Sequence, residues 1–259
     1  MLRDNCEIIA NDNLTAGLFC MRILFPSAAR SWIPGQFLHI LPPVAGNQPP
    51  MLRRPVSILS SAGDNVEIIY RVVGEGTRLL SNVQAGESLD IIGPLGNGFT
   101  DIPESPEKHI LVGGGVGAPP MIALARYLHE SGKNVELYQG AKDSSDLILN
   151  DDMENSEFSY YATTEDGSRG HHGLVTDILP APSEEITAVY SCGPLSMMKA
   201  VLKWRGKSAF PFFVSIENKM GCGVGVCLGC AVPSTKGTYV KVCKSGPVFN
   251  ADDLDWNKL

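Results

Sequence analysis

The sequence predicts a multidomain chain of β and α/β class: an antiparallel barrel, then a parallel sheet covered by helices, then a small cysteine-rich module. Three observations carry this. Residues 6 to about 100 read as short, partly alternating strands punctuated by Gly, Pro, Asn and Asp. From Ile110 onward, strands alternate with helical stretches and a glycine-rich turn. Near the C-terminal end, Cys222, Cys227 and Cys230 fall in a C-x4-C-x2-C pattern, followed after twelve residues by Cys243.

The bounds come from length and composition. A chain of 259 residues suggests about two domains, and 44% hydrophobic residues supply real cores. The formal charge, 21 cations against 28 anions, is -7 and lacks a basic stripe, which argues against a nucleic-acid partner. No stretch approaches the roughly 18 apolar residues of a membrane span, and the opening residues do not read as a secretion signal. A soluble, cytoplasmic protein is expected. Seven cysteines, an odd number, fit a reducing compartment in which thiols act as metal ligands.

In the first segment, strands are expected at Cys6–Ala10, Thr15–Leu24, Phe37–Leu41, Val66–Val73 and Ser88–Ile92, with a helical piece at Thr77–Asn82. Two stretches here have chemical character. Arg54-Pro55-Val56-Ser57 offers a forked cation for a pyrophosphate, a fixed backbone and a small hydroxyl. Gly74-Glu75-Gly76-Thr77 precedes the helical piece, so its N–H groups and the Thr77 hydroxyl suit an anion. Alone, each also reads as a plain strand start or capped turn.

A composition shift at Asp101–Pro106 marks a boundary. Beyond it, Ile110–Val112 reads as a buried strand, Gly113-Gly114-Gly115-Val116-Gly117 as a turn, and Met121–Glu130 as a helix with an apolar stripe, stopped at Gly132. Further strands are expected at Val135–Gly140, Phe158–Thr163 and Ile186–Ser191. The turn is G-x-G-x-G rather than G-x-G-x-x-G, and it leaves backbone N–H groups open to a pyrophosphate. Cys192-Gly193-Pro194 ends a strand where open α/β sheets place ligands, although a lone Cys there also reads as a buried apolar residue. His171 and His172 follow a polar run and read as solvated loop.

The last segment contains a strand at Phe210–Glu217, the cysteine loop, and a strand at Tyr239–Cys243 that returns the fourth ligand. The ligand spacing is that of a plant-type two-iron two-sulfur cluster. Structural zinc usually pairs its ligands as two short C-x2-4-C units, and a disulfide framework needs export; both stand as alternatives. So short a segment buries little core by itself, so the cluster is expected to hold it together.

The order of these motifs is more specific than any one of them. Barrel, Arg-Pro-Val-Ser, Gly-Glu-Gly-Thr, the glycine turn and Ser-Cys-Gly-Pro together resemble the ferredoxin-NADP reductase superfamily across residues 1 to about 210. With the cysteine loop, Pro34–His39 and Gly93–Phe99 added, the whole chain is similar to the electron-transfer subunits of the two-subunit, NAD-dependent (class 1B) dihydroorotate dehydrogenases.

The resemblance implies an FAD-binding β-barrel at 1–102, an NAD-binding α/β sheet at 103–210 and a small plant-ferredoxin-like 2Fe-2S module at 211–259. It places Arg54, Pro55, Val56, Ser57, Ile69, Tyr70, Arg71, Gly76 and Thr77 at FAD. Gly113, Gly114, Gly115, Gly117, Gly193 and Pro194 fall at the nicotinamide, with Cys192 as the catalytic position beside it. Cys222, Cys227, Cys230 and Cys243 become the cluster ligands.

The implied partner is an FMN-containing catalytic subunit, two copies of each chain forming a heterotetramer. Electrons from dihydroorotate would cross cluster and FAD to NAD+ in de novo pyrimidine (UMP) biosynthesis, and the loop Gly221–Gly229 would meet the partner. A flavin suits such a junction because it exchanges electrons singly or in pairs. NAD is favoured over NADP because Lys142 is offset by Asp143. Two alternatives stay open: the flavin subunit of a sulfide dehydrogenase or hydrogenase-linked diaphorase, and a zinc-stabilised binding module without flavin.

Overall fold

The computed structural model describes residues 2–15, 17–43, 50–105, 107–148 and 158–259. Met1, Ala16 and Pro106, which fall within sequence stretches discussed above, lie outside them. The first strands are β1 (Leu2–Thr15), β2 (Leu18–Leu24), β3 (Phe37–Ile40), β4 (Arg54–Ala62), β5 (Asn65–Arg71) and β6 (Ser88–Leu95). They close an antiparallel barrel in the order β1-β2-β5-β4-β3-β6. Two helices accompany it, α1 (Pro26–Ala29) and α2 (Glu75–Ser81).

Alternation explains the closure. Cys6 and Ile8, Met21 and Ile23, Leu38 and Ile40, Val56 and Ile58, Val66 and Ile68, and Leu89 and Ile91 are buried in one core cluster. These i, i+2 pairs fill the interior from every strand. On β3, therefore, Phe37 and His39 project from the outer face of the barrel. Both are nonetheless buried, because the rest of the chain packs there.

The second unit is a seven-stranded sheet built from β7 (Lys108–Gly114), β8 (Asn134–Ala141), β9 (Ser159–Thr164), β10 (His171–His172), β11 (Ile186–Cys192), β12 (Phe212–Ser215) and, later in the chain, β15 (Val248–Asn250). Its order is β10-β9-β8-β7-β11-β12-β15, parallel except for the last pair. The order reverses between β7 and β11, which creates the crevice where such sheets take ligands. Helix α3 (Ala118–Glu130) starts with prolines in its first turn and ends before Gly132, in line with the sequence reading. Helix α4 (Leu195–Arg205), not foreseen from the sequence, follows β11.

Two local expectations are corrected. His171 and His172 form a short, exposed edge strand paired with β9, not a loop. The strand β14 (Tyr239–Lys241), paired with β13 (Ala231–Pro233), stops before the fourth cysteine. Cys243 lies instead on the helical turn α5 (Val242–Ser245).

The C-terminal segment is also better supported than its length suggests. It contributes β15 to the large sheet, and Met220, Val232, Val242, Ala251 and Leu254 share one core with Val189, Val201, Phe212 and Val214. Phe37 and Leu95 of the barrel join the same core. The segment therefore borrows apolar surface from both neighbours, which offsets the small core it could bury alone. Arg205 pairs with Asp252 across this junction, and Arg71 of the barrel pairs with Asp146 of the sheet at 2.8 Å.

Candidate functional site

Three adjoining cavities run along the junction of the barrel, the sheet and the cysteine loop. The first, of about 480 Å³, is lined by Arg54, Pro55, Val56, Ser57, Ile69, Tyr70, Arg71 and Thr77 from the barrel. These come from the N-terminal half of β4, the end of β5 and the first turn of α2, which the barrel brings side by side. Phe37, Val116, the run Ser215 to Met220 and Pro247 complete the wall. None of these was assigned to the site from the sequence, because they belong to segments far apart in the chain.

The cavity has apolar walls at Phe37, Ile69, Val116 and Met220, with cations at Arg54, Arg71 and Lys219. That donor set suits a flat ring with a pyrophosphate tail. Gly76 lines no part of the cavity; it lets Arg54 lie across α2, since a Cβ there would sit 2.4 Å from the guanidinium Nε. The Arg54 fork is further held by its Nη1 donating to the Leu52 carbonyl at 2.6 Å. The Thr77 hydroxyl accepts from the Val73 and Gly74 N–H groups and donates to the Gly74 carbonyl. It thereby caps its own helix, leaving anion contact to the neighbouring N–H groups and Arg54.

The second cavity, about 680 Å³, shares Arg71, Val116, Ile216, Glu217 and Asn218 with the first. It adds Gly114, Gly115, Gly117, Gly193 and Pro194, which the switch point brings together. Close approach of the two loops demands the glycines. A Cβ on Gly117 would stand 2.5 Å from the Cys192 carbonyl oxygen, and Gly193 has φ +150°. Gly113 lies beneath, buried in β7 against Ala118. A third cavity continues outward past Gly114, Gly115 and Pro194 to Lys142, Thr163 and Glu165.

Cys192 is buried and lines none of these cavities. Burial, reinforced by the nearby Glu217 charge, pushes its thiol well above the usual range. Glu217 projects into the cleft, where solvent reaches it, but protein surrounds it closely enough that burial raises its carboxyl above the ordinary value.

The four loop cysteines stand as two pairs. Cys230 Sγ and Cys243 Sγ are 3.3 Å apart, while Cys222 Sγ accepts the Cys227 N–H at 3.4 Å. The Gly225 N–H points at Cys243 Sγ at 3.2 Å. Burial opposes ionisation of Cys222, but N–H groups of Cys227, Val224 and Val226 outweigh it and bring the thiol down to about 6. Among the described residues, no three His, Cys, Asp or Glu side chains converge as a single-ion site requires. Thiols in twos, ringed by backbone N–H donors, fit a two-iron cluster, in which each iron takes two protein ligands.

Between this loop and the first cavity lies His39. A Cβ on Gly223 would stand 2.3 Å from its Nδ1, and its ring meets Phe37 edge-on at 6.5 Å. Burial, with the Arg53 cation beside it, lowers the imidazole to about 4 and keeps it neutral. Its strand position and its place at the end of the Pro34–His39 stretch were noted in the sequence, but neither gave it a role of its own.

A closed barrel joined to a switch-point sheet, with one cavity leading into the next, defines a flavin- and nicotinamide-linked reductase of the ferredoxin-NADP reductase type, extended by a cluster module. Residues 111–203 match the oxidoreductase NAD-binding domain, and residues 217–255 match the iron-sulfur cluster binding domain of dihydroorotate dehydrogenase B. The chain belongs to the family of dihydroorotate dehydrogenase B electron transfer subunits. It is 41% identical to the Bacillus velezensis protein named dihydroorotate dehydrogenase B (NAD(+)), electron transfer subunit, over 85% of this chain and 86% of that one. The protein of the same name from Listeria monocytogenes is 36% identical, over 98% of this chain and 99% of its own length. Among solved structures, a chain of the NADH-dependent reduced ferredoxin-NADP oxidoreductase superposes with a TM-score of 0.86 at 29% identity, covering 99% of this chain and 91% of that one.

Proposed function

We propose that this chain is the electron-transfer subunit of a two-subunit dihydroorotate dehydrogenase. It passes electrons from the FMN of the catalytic subunit through a 2Fe-2S cluster and FAD to NAD+, in de novo pyrimidine (UMP) biosynthesis. The observation that carries this reading is adjacency. The cysteine loop rests on the barrel at His39, Phe37 of the same strand walls the first cavity, and that cavity shares five residues with the second.

When bound, FAD supplies a centre able to exchange electrons singly or in pairs. The chain's own residues bind and orient. Arg54 and the first turn of α2 hold the pyrophosphate, while Pro55 to Ser57 and Ile69 to Arg71 pack the ring. Gly114, Gly115, Gly117, Gly193 and Pro194 let the dinucleotide approach the switch-point backbone. Cys192 lies buried and uncharged behind the nicotinamide site, where its backbone meets Gly117, consistent with its raised thiol. Lys142 in the outer cavity is offset by Glu165 of the same wall, which disfavours a 2'-phosphate and supports NAD.

The loop tip Gly221–Gly229 is assigned to the catalytic subunit, supported by Val226 and Leu228, which are 81% and 71% exposed. The complex is assigned two copies of each chain. Among the described residues no helix is long and apolar enough to cross a membrane, and a cytoplasmic location is proposed.

Reconstitution tests the reading. The chain mixed with its catalytic subunit should reduce NAD+ with dihydroorotate, and alone it should not oxidise dihydroorotate. A mixture holding all its cofactors that fails to reduce NAD+ would overturn it.

A further inference from the structure

One buried imidazole of this protein finds both its partners within the fold. His109, wholly buried, reaches the Tyr190 hydroxyl at 3.1 Å through Nδ1 and the Ser105 carbonyl at 3.0 Å through Nε2. His39 is equally buried, yet among the described residues neither of its ring nitrogens has a partner. Leaving a buried donor unpaired is destabilising, so an imidazole at such a position takes its partner from something else that is bound there.

The surroundings narrow what that is. Strand register sets Pro55 on one side of His39 and Ile92 on the other, and neither side chain can accept a hydrogen bond. The Arg53 guanidinium is a donor already committed to the Asp90 carbonyl and carboxylate, and the Arg53 carbonyl, though near enough to favour the protonated ring, makes no well-formed hydrogen bond to either ring nitrogen. On the remaining side Nδ1 faces Gly223, next to the ligand Cys222, so closely that no side chain fits between them. Sulfurs of a bound cluster are strong acceptors, and hydrogen bonds to them help set its potential.

We propose that His39 donates its ring N–H to a sulfur of the cluster held by Cys222, Cys227, Cys230 and Cys243. It is a positioning residue of the barrel that reaches across to the cluster and raises its potential, because a hydrogen bond to sulfur favours the reduced, more negative state. Gly223 is glycine so that this contact can form: its φ is +69° and its Cβ position is taken by the imidazole. The inference rests on the cluster reading above.

The test uses the full chain, purified anaerobically with its cofactors. Protein labelled with 15N at histidine only is reduced and examined by pulsed EPR, and iron and sulfide are assayed in the same sample. A histidine nitrogen coupled to the cluster spin is expected, lost in His39→Leu and absent from unlabelled protein. The cluster midpoint potential should fall in His39→Leu and recover towards the natural value in His39→Gln, which keeps an N–H donor. Full iron and sulfide with no coupled histidine nitrogen would overturn this inference alone. Absence of the cluster itself would overturn both readings. If His39→Leu does not fold, the labelled natural protein and His39→Gln still decide the matter.

Discussion

Substituting Gly117 by Ala tests whether the two switch-point loops are held in contact to place the nicotinamide. The added Cβ would lie 2.5 Å from the Cys192 carbonyl oxygen, 2.5 Å from Gly193 Cα and 2.6 Å from the Cys192 carbonyl carbon. All three are backbone atoms, so no side chain can swing aside. Ordinary contacts lie near 3.5 Å, so the loops must part by about 1 Å. Overpacking of this kind costs roughly 1–3 kcal/mol of stability. A displacement of about 1 Å at reacting groups costs about a hundredfold in rate. The assay is anaerobic stopped-flow reduction of bound FAD by NADH, alongside thermal melts. Gly132→Ala is the control, because Gly132 has φ +75° but open space around it, away from all three cavities. It should lose about 1 kcal/mol of stability with no change in flavin reduction. Reduction of Gly117→Ala at the natural rate would refute the reasoning.

Three further outcomes are expected. Phe212→Ala, at a wholly buried position of the core shared by sheet and cysteine segment, should lose about 3–5 kcal/mol in denaturant melts; it should also loosen the cluster, and a stable variant with normal iron retention would contradict the shared core. Val226→Asp and Leu228→Asp should weaken the complex with the catalytic subunit by about ten- to a hundredfold each, from roughly 1.5–3 kcal/mol of lost apolar burial; calorimetry showing natural affinity would exclude the loop tip from the interface. Burial raises the Glu217 carboxyl from 4.5, so its contribution to stability is full below that value and is lost as pH rises through the folded-state value. The melting advantage of Glu217→Gln over the natural protein should therefore grow as pH rises from 4.5, and a difference that stays flat with pH would remove Glu217 as its source.

Much of the fold was legible because its signals are local. Alternating Ile8, Ile23, Ile40, Ile58, Ile68 and Ile91 imply strands with one buried face, and those side chains do fill the barrel. The glycine turn between a buried strand and a proline-started helix marked the sheet equally well. The missed features depend on weaker local signals. Three-residue strands such as β15 have almost no pattern of their own, and their pairing is decided by the strand they meet. The turn at Cys243 read as a strand because Tyr239 to Val242 alternate, whereas packing of Val242 and Cys243 into the shared core favoured one helical turn.

The site divides in the same way. Arg54 to Ser57 could be picked out as a short run of suitable chemistry and Ile69 to Arg71 through the family resemblance, and both do line one cavity. Phe37, Val116 and Glu217 complete that cavity from three distant segments, and no spacing rule connects them. His39 stood in the sequence only as the end of the Pro34–His39 stretch, with no role of its own, until the fold buried it under Gly223 with both nitrogens unpaired.

By itself, the sequence determined which chemical groups are available: four cysteines at cluster spacing, backbone opened by glycine at the nucleotide turns, and strands that must close on an apolar interior. Covalent spacing limits how far neighbouring residues can separate, so these properties follow from the chain alone. Only the tertiary structure decided that the cysteine loop lies against β3, that the first cavity opens into the second, and that the cysteine segment completes the large sheet. Each of these is a contact between segments far apart in sequence, and it is decided by which apolar faces bury one another.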